Sequence, residues 1–258
     1  MSRQVIRRAL ISVSDKNGLI PFARTLRKHK VEILSTGGTL RALKGAGIPA
    51  KAVDEFTGFP EILDGRVKTL HPRIHGGLLY LRAKKSHRDQ VRKHGIQPID
   101  LVVVNLYPFE SATAKGNLAL REAIEFIDIG GPSMLRSAAK NSESVTVVTD
   151  PADYDRVIAE MDANKSSVTG ELRFDLAQKV FERTSAYDAV ISQYLAAHKK
   201  KTDTEGLPAQ FVSHFKKAQA LRYGENPHQK AAFYACTTRK ASAAWKQLHG
   251  KELSYNNL

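Results

Sequence analysis

The sequence predicts an α/β protein with a mostly parallel sheet flanked by helices, followed by a short C-terminal segment. Three observations carry this prediction. Short apolar runs alternate with helical patterns, as in repeated strand–helix–strand units. The run DLVVV at residues 100–104 is apolar almost throughout, which is typical of a strand buried on both faces. Glycines and polar residues follow several apolar runs, at the strand ends where such sheets bind ligands.

The first half of the chain alternates regularly. Its predicted elements are a strand at 5–13, a helix at 17–29, a short strand running into the glycines at 37–38, a helix at 39–44 and a strand at 50–53. Residues 54–80 are rich in Gly, Pro and His, and their apolar content argues against disorder. We therefore expect an ordered loop with short helical pieces there.

The second half continues the pattern. Helices are predicted at 82–95, 117–127, 132–140, 151–162 and 171–196, and strands at 100–104 and 145–149. Residues 198–210 are polar and charged and indicate a linker between a domain at 1–197 and a segment at 211–258. A segment of that length seldom supports its own core, so it looks like the truncated beginning of a second domain.

Composition limits the class of protein. The 258 residues include one cysteine, Cys236, which excludes an internal disulfide framework and fits a reducing cytoplasm. We expect no membrane span, because no run approaches ~20 apolar residues, and no signal peptide, because the N-terminal run lacks a cleavage site. The formal charge of +14 attracts phosphates. The scattered Lys and Arg residues favour a basic surface over a nucleic-acid-binding stripe.

Two strand-to-helix junctions are candidate phosphate sites. In STGGT, residues 35–39, glycines allow close backbone approach, free N–H groups open a helix and three hydroxyls add donors. A plain tight turn with a threonine cap explains the same residues. In SVSDK, residues 12–16, Lys16 would neutralise a phosphate, although a helix cap at Ser14 or Asp15 is a sufficient structural account.

The predicted loop at 54–80 contains candidate site residues. Arg66 offers a fork for a phosphate or a carboxamide, and Lys68 is a candidate acid or base. His71 and His75 are four residues apart, which suggests a metal site, but Pro72 lies between them and the acid of an HExxH motif is missing. We expect these histidines to pack the loop or to form hydrogen bonds, and we predict no metal.

Two polar residues follow the buried DLVVV strand. Asn105 offers an amide at the mouth of the expected pocket, and Tyr107 offers a phenol that can relay a proton. The alternative is a Tyr–Pro turn that packs under the sheet.

The segment that begins at Asp128 combines several chemical groups. The glycines at 130–131 precede Pro132 at a helix start, so free N–H groups point outward. Arg136 and Lys140 are four residues apart and share one face of that helix. A carboxylate, amide donors and an ammonium together suit the stabilisation of an oxyanion and the transfer of a proton.

Taken in order, these motifs resemble one family, the bifunctional AICAR transformylase/IMP cyclohydrolase of purine synthesis. The resemblance covers nearly the whole chain and rests on SVSDK, STGGT, GRVKTLHPRIHGGLL, VVVNLYPF, IDIGGPSMLRSAAKN, FERTSAYDAVISQYL and LRYGENPHQ. It implies a methylglyoxal-synthase-like cyclohydrolase domain, an intertwined homodimer and no cofactor or metal for cyclisation. The implied reaction closes formyl-AICAR to IMP.

The resemblance also implies residue roles. The implied catalytic residues are Lys68, Tyr107, Asp128 and Lys140. The implied nucleotide-binding residues are Ser12, Ser14, Lys16, Ser35, Thr36, Gly37, Gly38, Thr39, Arg66, Thr69, Asn105, Ile129, Gly130 and Gly131. Lys140 with Asp128 would handle the carboxamide proton, while Lys68 and Tyr107 would serve the formyl oxygen.

The chain departs from the family at its C-terminal end. LRYGENPHQ matches only the opening of the transformylase domain, where Arg222 and Tyr223 correspond to AICAR-contacting positions. The Lys-His pair and the 10-formyltetrahydrofolate pocket of that domain are absent from this sequence, so we expect no formyl transfer by this chain alone. The alternatives are a methylglyoxal synthase, a nucleotide-binding regulatory module without turnover, and a nucleic-acid binder.

Overall fold

A computed structural model describes residues 3–106, 109–113, 118–198, 212–236 and 249–257. The chain divides into two compact units, Met1–Thr184 and Ser185–Leu258. The predicted domain limits stay a prediction, because the division between the units falls inside a helix and most of the predicted linker at 198–210 lies outside the described residues.

A five-stranded sheet forms the centre of the first unit. Its strands are β2 (Arg8–Val13), β3 (Glu32–Ser35), β4 (Lys51–Ala52), β5 (Leu101–Asn105) and β6 (Thr146–Val148). They lie in the order β4-β3-β2-β5-β6, and every neighbouring pair is parallel. The predicted α/β class is confirmed. Because the strands are parallel, their carboxyl ends meet at one edge of the sheet.

Helices occupy most of the remaining first unit. They are α1 (Leu19–Lys28), α2 (Gly37–Gly45), α3 (Val53–Thr57), α4 (Pro72–Leu79), α5 (Lys85–Lys93), α6 (Phe109–Thr113), α7 (Leu120–Glu125), α8 (Gly130–Lys140), α9 (Tyr154–Ala163) and α10 (Gly170–His198), which continues into the second unit. The short helical pieces expected within 54–80 are α3 and α4, and a turn with a bridge between Ile62 and Val67 separates them.

The core explains why the apolar runs become strands. In β5, Leu101 to Val104 are at most 2% exposed, and in β2 the residues Ala9 to Ile11 are fully buried between layers. Burial on this scale contributes about 25 cal/mol per Å² of apolar surface. The prediction of a strand buried on both faces is therefore confirmed, with the strand beginning at Leu101.

The smaller pairings were not predicted. In the first unit, β1 (Gln4–Val5) pairs antiparallel with β7 (Ser167–Val168). In the second unit, β8 (Phe215–Leu221) pairs antiparallel with β9 (Ala231–Cys236), with an irregularity between Lys217 and Gln219. Within the described residues, none of the helices has the length and apolar character needed to span a bilayer.

Candidate functional site

A cavity of about 880 Å³ lies at the carboxyl ends of β2, β3 and β5. This volume falls in the ~300–1,000 Å³ range of small-molecule sites. Fifteen of the predicted site residues line the cavity: Ser12, Ser14, Lys16, Thr36, Gly37, Gly38, Thr39, Arg66, Lys68, Thr69, Asn105, Asp128, Ile129, Gly130 and Gly131. The segments that follow three neighbouring strands therefore share one pocket.

One wall of the cavity is the start of α2. Thr36 precedes this helix, and its Oγ1 lies 3.0 Å from the Oγ of Ser12 across the strand ends. The N–H of Leu40 bonds back to the Thr36 carbonyl at 3.0 Å, so the N–H groups of residues 37–39 precede the helical ladder. These N–H groups, two hydroxyls and the helix dipole form a favourable environment for an anion.

Cationic side chains lie beside the same helix start. A Cβ at Gly38 would lie 4.0 Å from the Lys16 Nζ and 3.8 Å from the Arg41 Nη2. The Lys16 ammonium contacts the Ser14 carbonyl oxygen at 3.4 Å, and it pairs with no carboxylate within the described part of the chain. Gly37 has φ +46°, which glycine adopts at little cost. The two cationic side chains therefore lie beside the turn at the start of α2, and the turn still lines the cavity.

Two hydroxyls of the STGGT motif form hydrogen bonds with backbone groups of β2. Ser35 is fully buried and donates to the Ile11 carbonyl at 2.7 Å. Thr39 donates to the Val13 carbonyl at 3.0 Å and accepts from the Val13 N–H at 2.9 Å. Since these bonds join α2 and β3 to β2, the hydroxyls of Ser35 and Thr39 have partners in the sheet framework, and their role as ligand donors stays a prediction. The Thr36 hydroxyl lies beside that of Ser12 at the cavity.

Asn105 also shapes the cavity wall. Its Oδ1 accepts from the N–H groups of Ser14 and Asp15 at 2.6 and 3.0 Å, and its Nδ2 donates to the Asp15 carbonyl at 2.9 Å. The amide that was expected to face the ligand therefore holds the Ser14–Asp15 loop in place. The second N–H of the Asn105 side-chain amide takes no part in these three bonds.

The turn between α3 and α4 brings Arg66 and Lys68 to the cavity. Leu63, Asp64 and Gly65 all have positive φ, between 52° and 89°, and the turn closes with Val67 N–H bonding to the Ile62 carbonyl at 3.3 Å. No pattern in the sequence indicated the two carboxylates that accompany these cations.

These two carboxylates are Glu61 and Glu125. The Lys68 Nζ lies 3.2 Å from the Glu61 Oε1, and the Arg66 guanidinium pairs with Glu125 at the end of α7. Glu61 lies seven residues before Lys68 and Glu125 fifty-nine after Arg66, so no local periodicity links either acid to its partner.

The start of α8 forms the opposite wall. The Asp128 Oδ1 accepts from the Gly131 N–H at 2.8 Å. A Cβ at Gly131 would lie 2.2 Å from the Asp128 Oδ2, and a Cβ at Gly130 would lie 2.7 Å from the Thr69 Oγ1. A larger residue at either position would therefore force a side chain of the site, Asp128 or Thr69, to move. Asp128 is held against the helix start, where the helix dipole favours a negative charge.

The two histidines of the loop have structural partners. The His71 Nδ1 accepts from the Arg73 N–H and so caps α4. The His75 Nδ1 lies 2.9 Å from the Ser137 Oγ on α8. Burial lowers the pKa of His75, against an opposing effect of the Thr69 backbone. The prediction that these histidines pack the loop or form hydrogen bonds is confirmed by hydrogen bonds of both rings.

Two described residues of the first unit that were predicted to belong to the site, Ser35 and Lys140, do not line this cavity. Tyr107 lies outside the described residues. Lys140 is exposed at the last position of α8, on the order of 15 Å along the helix axis from Gly130. Arg222 and Tyr223 belong to the second unit, where the Arg222 guanidinium lies 5.3 Å from the centre of the Tyr223 ring. No group of three potential metal ligands occurs among the residues that the structure describes.

Comparison with known proteins matches both parts of the chain. Residues 18–133 match the MGS-like domain family, and residues 138–258 match the AICARFT/IMPCHase bienzyme family. The chain is 59% identical over 256 residues to the bifunctional purine biosynthesis protein PurH of Magnetococcus marinus, covering 98% of this chain and 48% of that protein. It is 58% identical to PurH of Halalkalibacterium halodurans, covering 98% of this chain and 49% of that protein.

A solved structure, described as the crystal structure of ForH, is also similar. It is 35% identical, with a TM-score of 0.68, and the match covers 75% of this chain and 98% of that one. The chain spans about half the length of the curated relatives it matches.

Proposed function

Because the chain belongs to the AICARFT/IMPCHase bienzyme family and carries its MGS-like domain with the start of its transformylase region, we propose that it is an IMP cyclohydrolase. The substrate is formyl-AICAR, 5-formamidoimidazole-4-carboxamide ribotide, and the products are IMP and water. The observation that carries the proposal is a single cavity lined both by an anion-binding helix start and by Lys68 and Asp128.

The start of α2 suits the phosphate of the ribotide. A phosphate there would accept hydrogen bonds from the N–H groups of residues 37–39 and from the hydroxyls of Ser12 and Thr36, beside the Lys16 ammonium. Charge-assisted hydrogen bonds of this kind contribute about 1.5–3 kcal/mol each. The phosphate would thus fix the ribotide, so that its base extends toward the start of α8.

The chemistry at the base requires proton transfers and charge stabilisation. The carboxamide nitrogen attacks the formyl carbon and loses a proton as the C–N bond forms, while the formyl oxygen takes a proton. The resulting hydroxyl is then protonated and leaves as water, and the formamide nitrogen loses its proton as a C=N bond forms. We assign Lys68 and Tyr107 to the formyl oxygen, and Asp128 with Lys140 to the carboxamide proton. We assign the Gly130 N–H to the oxyanion, because the Gly131 N–H already donates to Asp128. Proton transfers suffice for this reaction, so the proposal includes no cofactor or metal.

The other reaction of the family is formyl transfer from 10-formyltetrahydrofolate. We assign to it only Arg222 and Tyr223, as positions that contact AICAR. We place the protein in the cytoplasm, because its one cysteine suits a reducing compartment. The partners in this proposal are the purine nucleotide and a second copy of the chain.

Incubation of the purified chain with formyl-AICAR tests the proposal. We expect IMP to form at a rate proportional to enzyme concentration, followed by absorbance and by chromatography of the nucleotide. Binding of IMP without turnover would instead favour the regulatory module. Conversion of a triose phosphate to methylglyoxal would favour the synthase, and steep salt-dependent binding of DNA would favour the nucleic-acid binder.

The position of Lys140 gives the proposed homodimer a test of its own. Since Lys140 does not line the cavity of its own chain, we assign its catalytic role to the cavity of a second copy. Asp128→Ala and Lys140→Ala chains should each be slow alone. When the two variants are unfolded and refolded together, about half of the dimers should be mixed, and each mixed dimer should contain one intact site. About a quarter of wild-type activity should therefore return.

Sedimentation of the refolded mixture and of each variant alone provides the control for assembly. A Lys140→Ala chain with full activity would remove Lys140 from the reaction. Slow variants that assemble but do not complement each other would show that Lys140 does not act on the cavity of a second copy.

A further inference from the structure

We propose that Glu61 is a positioning residue that holds the Lys68 ammonium in the geometry needed for cyclisation. This inference rests on the proposed function, because it assigns Glu61 a role through Lys68. Glu61 is absent from the cavity wall and from every motif that the sequence singled out. Its link to the reaction is its contact with Lys68, 3.2 Å from Oε1 to Nζ.

The turn between α3 and α4 brings the two residues together. Its single bridge between Ile62 and Val67 closes a tight hairpin turn, with Glu61 just before the turn and Lys68 just after it. The side chains of Glu61 and Lys68 therefore leave the hairpin at adjacent positions. Since this bridge is short, the ion pair closes the open end of the hairpin as well as fixing the lysine.

Gly65 gives independent support for a defined position of Glu61. A Cβ at residue 65 would lie 2.6 Å from the Glu61 Oε1 and 3.5 Å from the Lys68 Nζ. The carboxylate thus packs directly over the turn, in space that a side chain at residue 65 would occupy. Gly65 has φ +89°, a conformation that L residues rarely adopt. The turn therefore accommodates the carboxylate beside Lys68.

Lys68 depends on this contact more than a surface lysine would. Its side chain is 32% exposed and ends at the cavity, and Glu61 is its carboxylate partner within the described part of the chain. A lysine side chain has four rotatable bonds and substantial rotamer entropy, so an unpaired ammonium would occupy several positions. A group displaced by about 1 Å from its productive position can lose 10²-fold in rate.

The expected kinetic consequence is a loss in kcat with little change in KM. Glu61→Ala should lower kcat for IMP formation about tenfold, because the ammonium occupies its productive position for less of the time. KM for formyl-AICAR should change less than about twofold, because the start of α2 still binds the phosphate. Glu61→Gln should show a smaller loss, because its amide oxygen still accepts a hydrogen bond from Lys68.

A double-mutant cycle separates this role from a merely structural one. Kinetics of the wild-type chain, Glu61→Ala, Lys68→Ala and the double variant would be measured on formyl-AICAR, with circular dichroism and thermal unfolding on each. We expect the double variant to be no slower than Lys68→Ala, since Glu61 acts through Lys68. Asp89→Ala, which breaks the exposed pair of Asp89 with Lys85, should leave kcat unchanged.

Two outcomes would overturn the inference. If Glu61→Ala has the wild-type kcat, Glu61 has no role in cyclisation. If Glu61→Ala lowers kcat by the same factor in the Lys68→Ala chain as in the wild-type chain, its effect does not pass through Lys68. If Glu61→Ala fails to fold, the same comparison uses Glu61→Gln with and without Lys68→Ala. A wild-type chain that forms no IMP would refute the proposed function itself, so the two failures are distinguishable.

Discussion

Replacing Asp128 with alanine is expected to slow IMP formation by about 10²–10⁴-fold, the range for loss of a positioned acid or base. Asp128 lines the cavity, and its Oδ1 accepts the Gly131 N–H at 2.8 Å. That bond directs the carboxylate along the start of α8. The expected measurement is kcat on formyl-AICAR under saturating substrate.

Gly131→Ala should reproduce much of this loss without removing the carboxylate. A Cβ at residue 131 would lie 2.2 Å from the Asp128 Oδ2 and 2.9 Å from its Cγ, so the carboxylate must move. Alanine otherwise favours a helix over glycine by about 1 kcal/mol. A slow Gly131→Ala enzyme with unimpaired thermal stability would therefore separate the position of Asp128 from the stability of α8.

Asp155 offers the matched control. It is an exposed acid in the first turn of α9 and is not among the residues that line the cavity. Asp155→Ala removes one carboxylate near a helix start, as Asp128→Ala does, and should leave kcat unchanged. A wild-type rate for Asp128→Ala would withdraw the proposed proton-transfer role of this residue.

The sequence predicted the sheet well because the signals for its strands are physical and local. An apolar run such as 101–104 has one stable environment, the middle of a covered sheet. Parallel order then follows from the alternation with helices. The pair of β1 with β7 escaped prediction because each strand has two residues and they are more than 160 positions apart. Such strands have no periodicity of their own.

The direction of a side chain was harder to predict than its place. Thr36 and Thr39 belong to one motif and both were expected to face a ligand. Residue 36 precedes α2 in extended conformation, whereas residue 39 lies on the first turn facing β2. The helix start therefore decides which hydroxyl meets the cavity and which one joins two elements. Helix starts are among the features that a sequence predicts least precisely.

The carboxylates of the site were the least predictable feature. Glu61 and Glu125 occur in segments whose polar residues would suit any exposed surface. Their contacts with Lys68 and Arg66 arise from a turn with three residues of positive φ and from the end of α7. Neither contact follows from spacing along the chain, so only the folded structure relates these acids to the cations of the cavity.

Replacing Asp100 with alanine is expected to lower the free energy of unfolding by about 3–5 kcal/mol, as for a broken buried ion pair. The side chain of Asp100 is 5% exposed, and its Oδ1 lies 2.7 Å from the Arg82 Nη1. Its Oδ2 accepts the N–H groups of Arg7 and Arg8, each at 2.8 Å. The substitution leaves a mostly buried guanidinium and two backbone donors without this acceptor.

The loss in free energy of unfolding is measured by urea unfolding followed by circular dichroism. The control is Asp89→Ala, which breaks an exposed pair with Lys85 and should lower the free energy of unfolding by at most ~1 kcal/mol. Asp100 immediately precedes β5, whose other end carries Asn105 and the bonds to the Ser14–Asp15 loop. The bonds of Asn105 lie at the cavity and those of Asp100 do not. We therefore expect Asp100→Ala to unfold at a lower urea concentration, but to retain the wild-type kcat at temperatures well below its unfolding temperature. A lower kcat under conditions where the variant is fully folded would show that Asp100 also helps to shape the cavity.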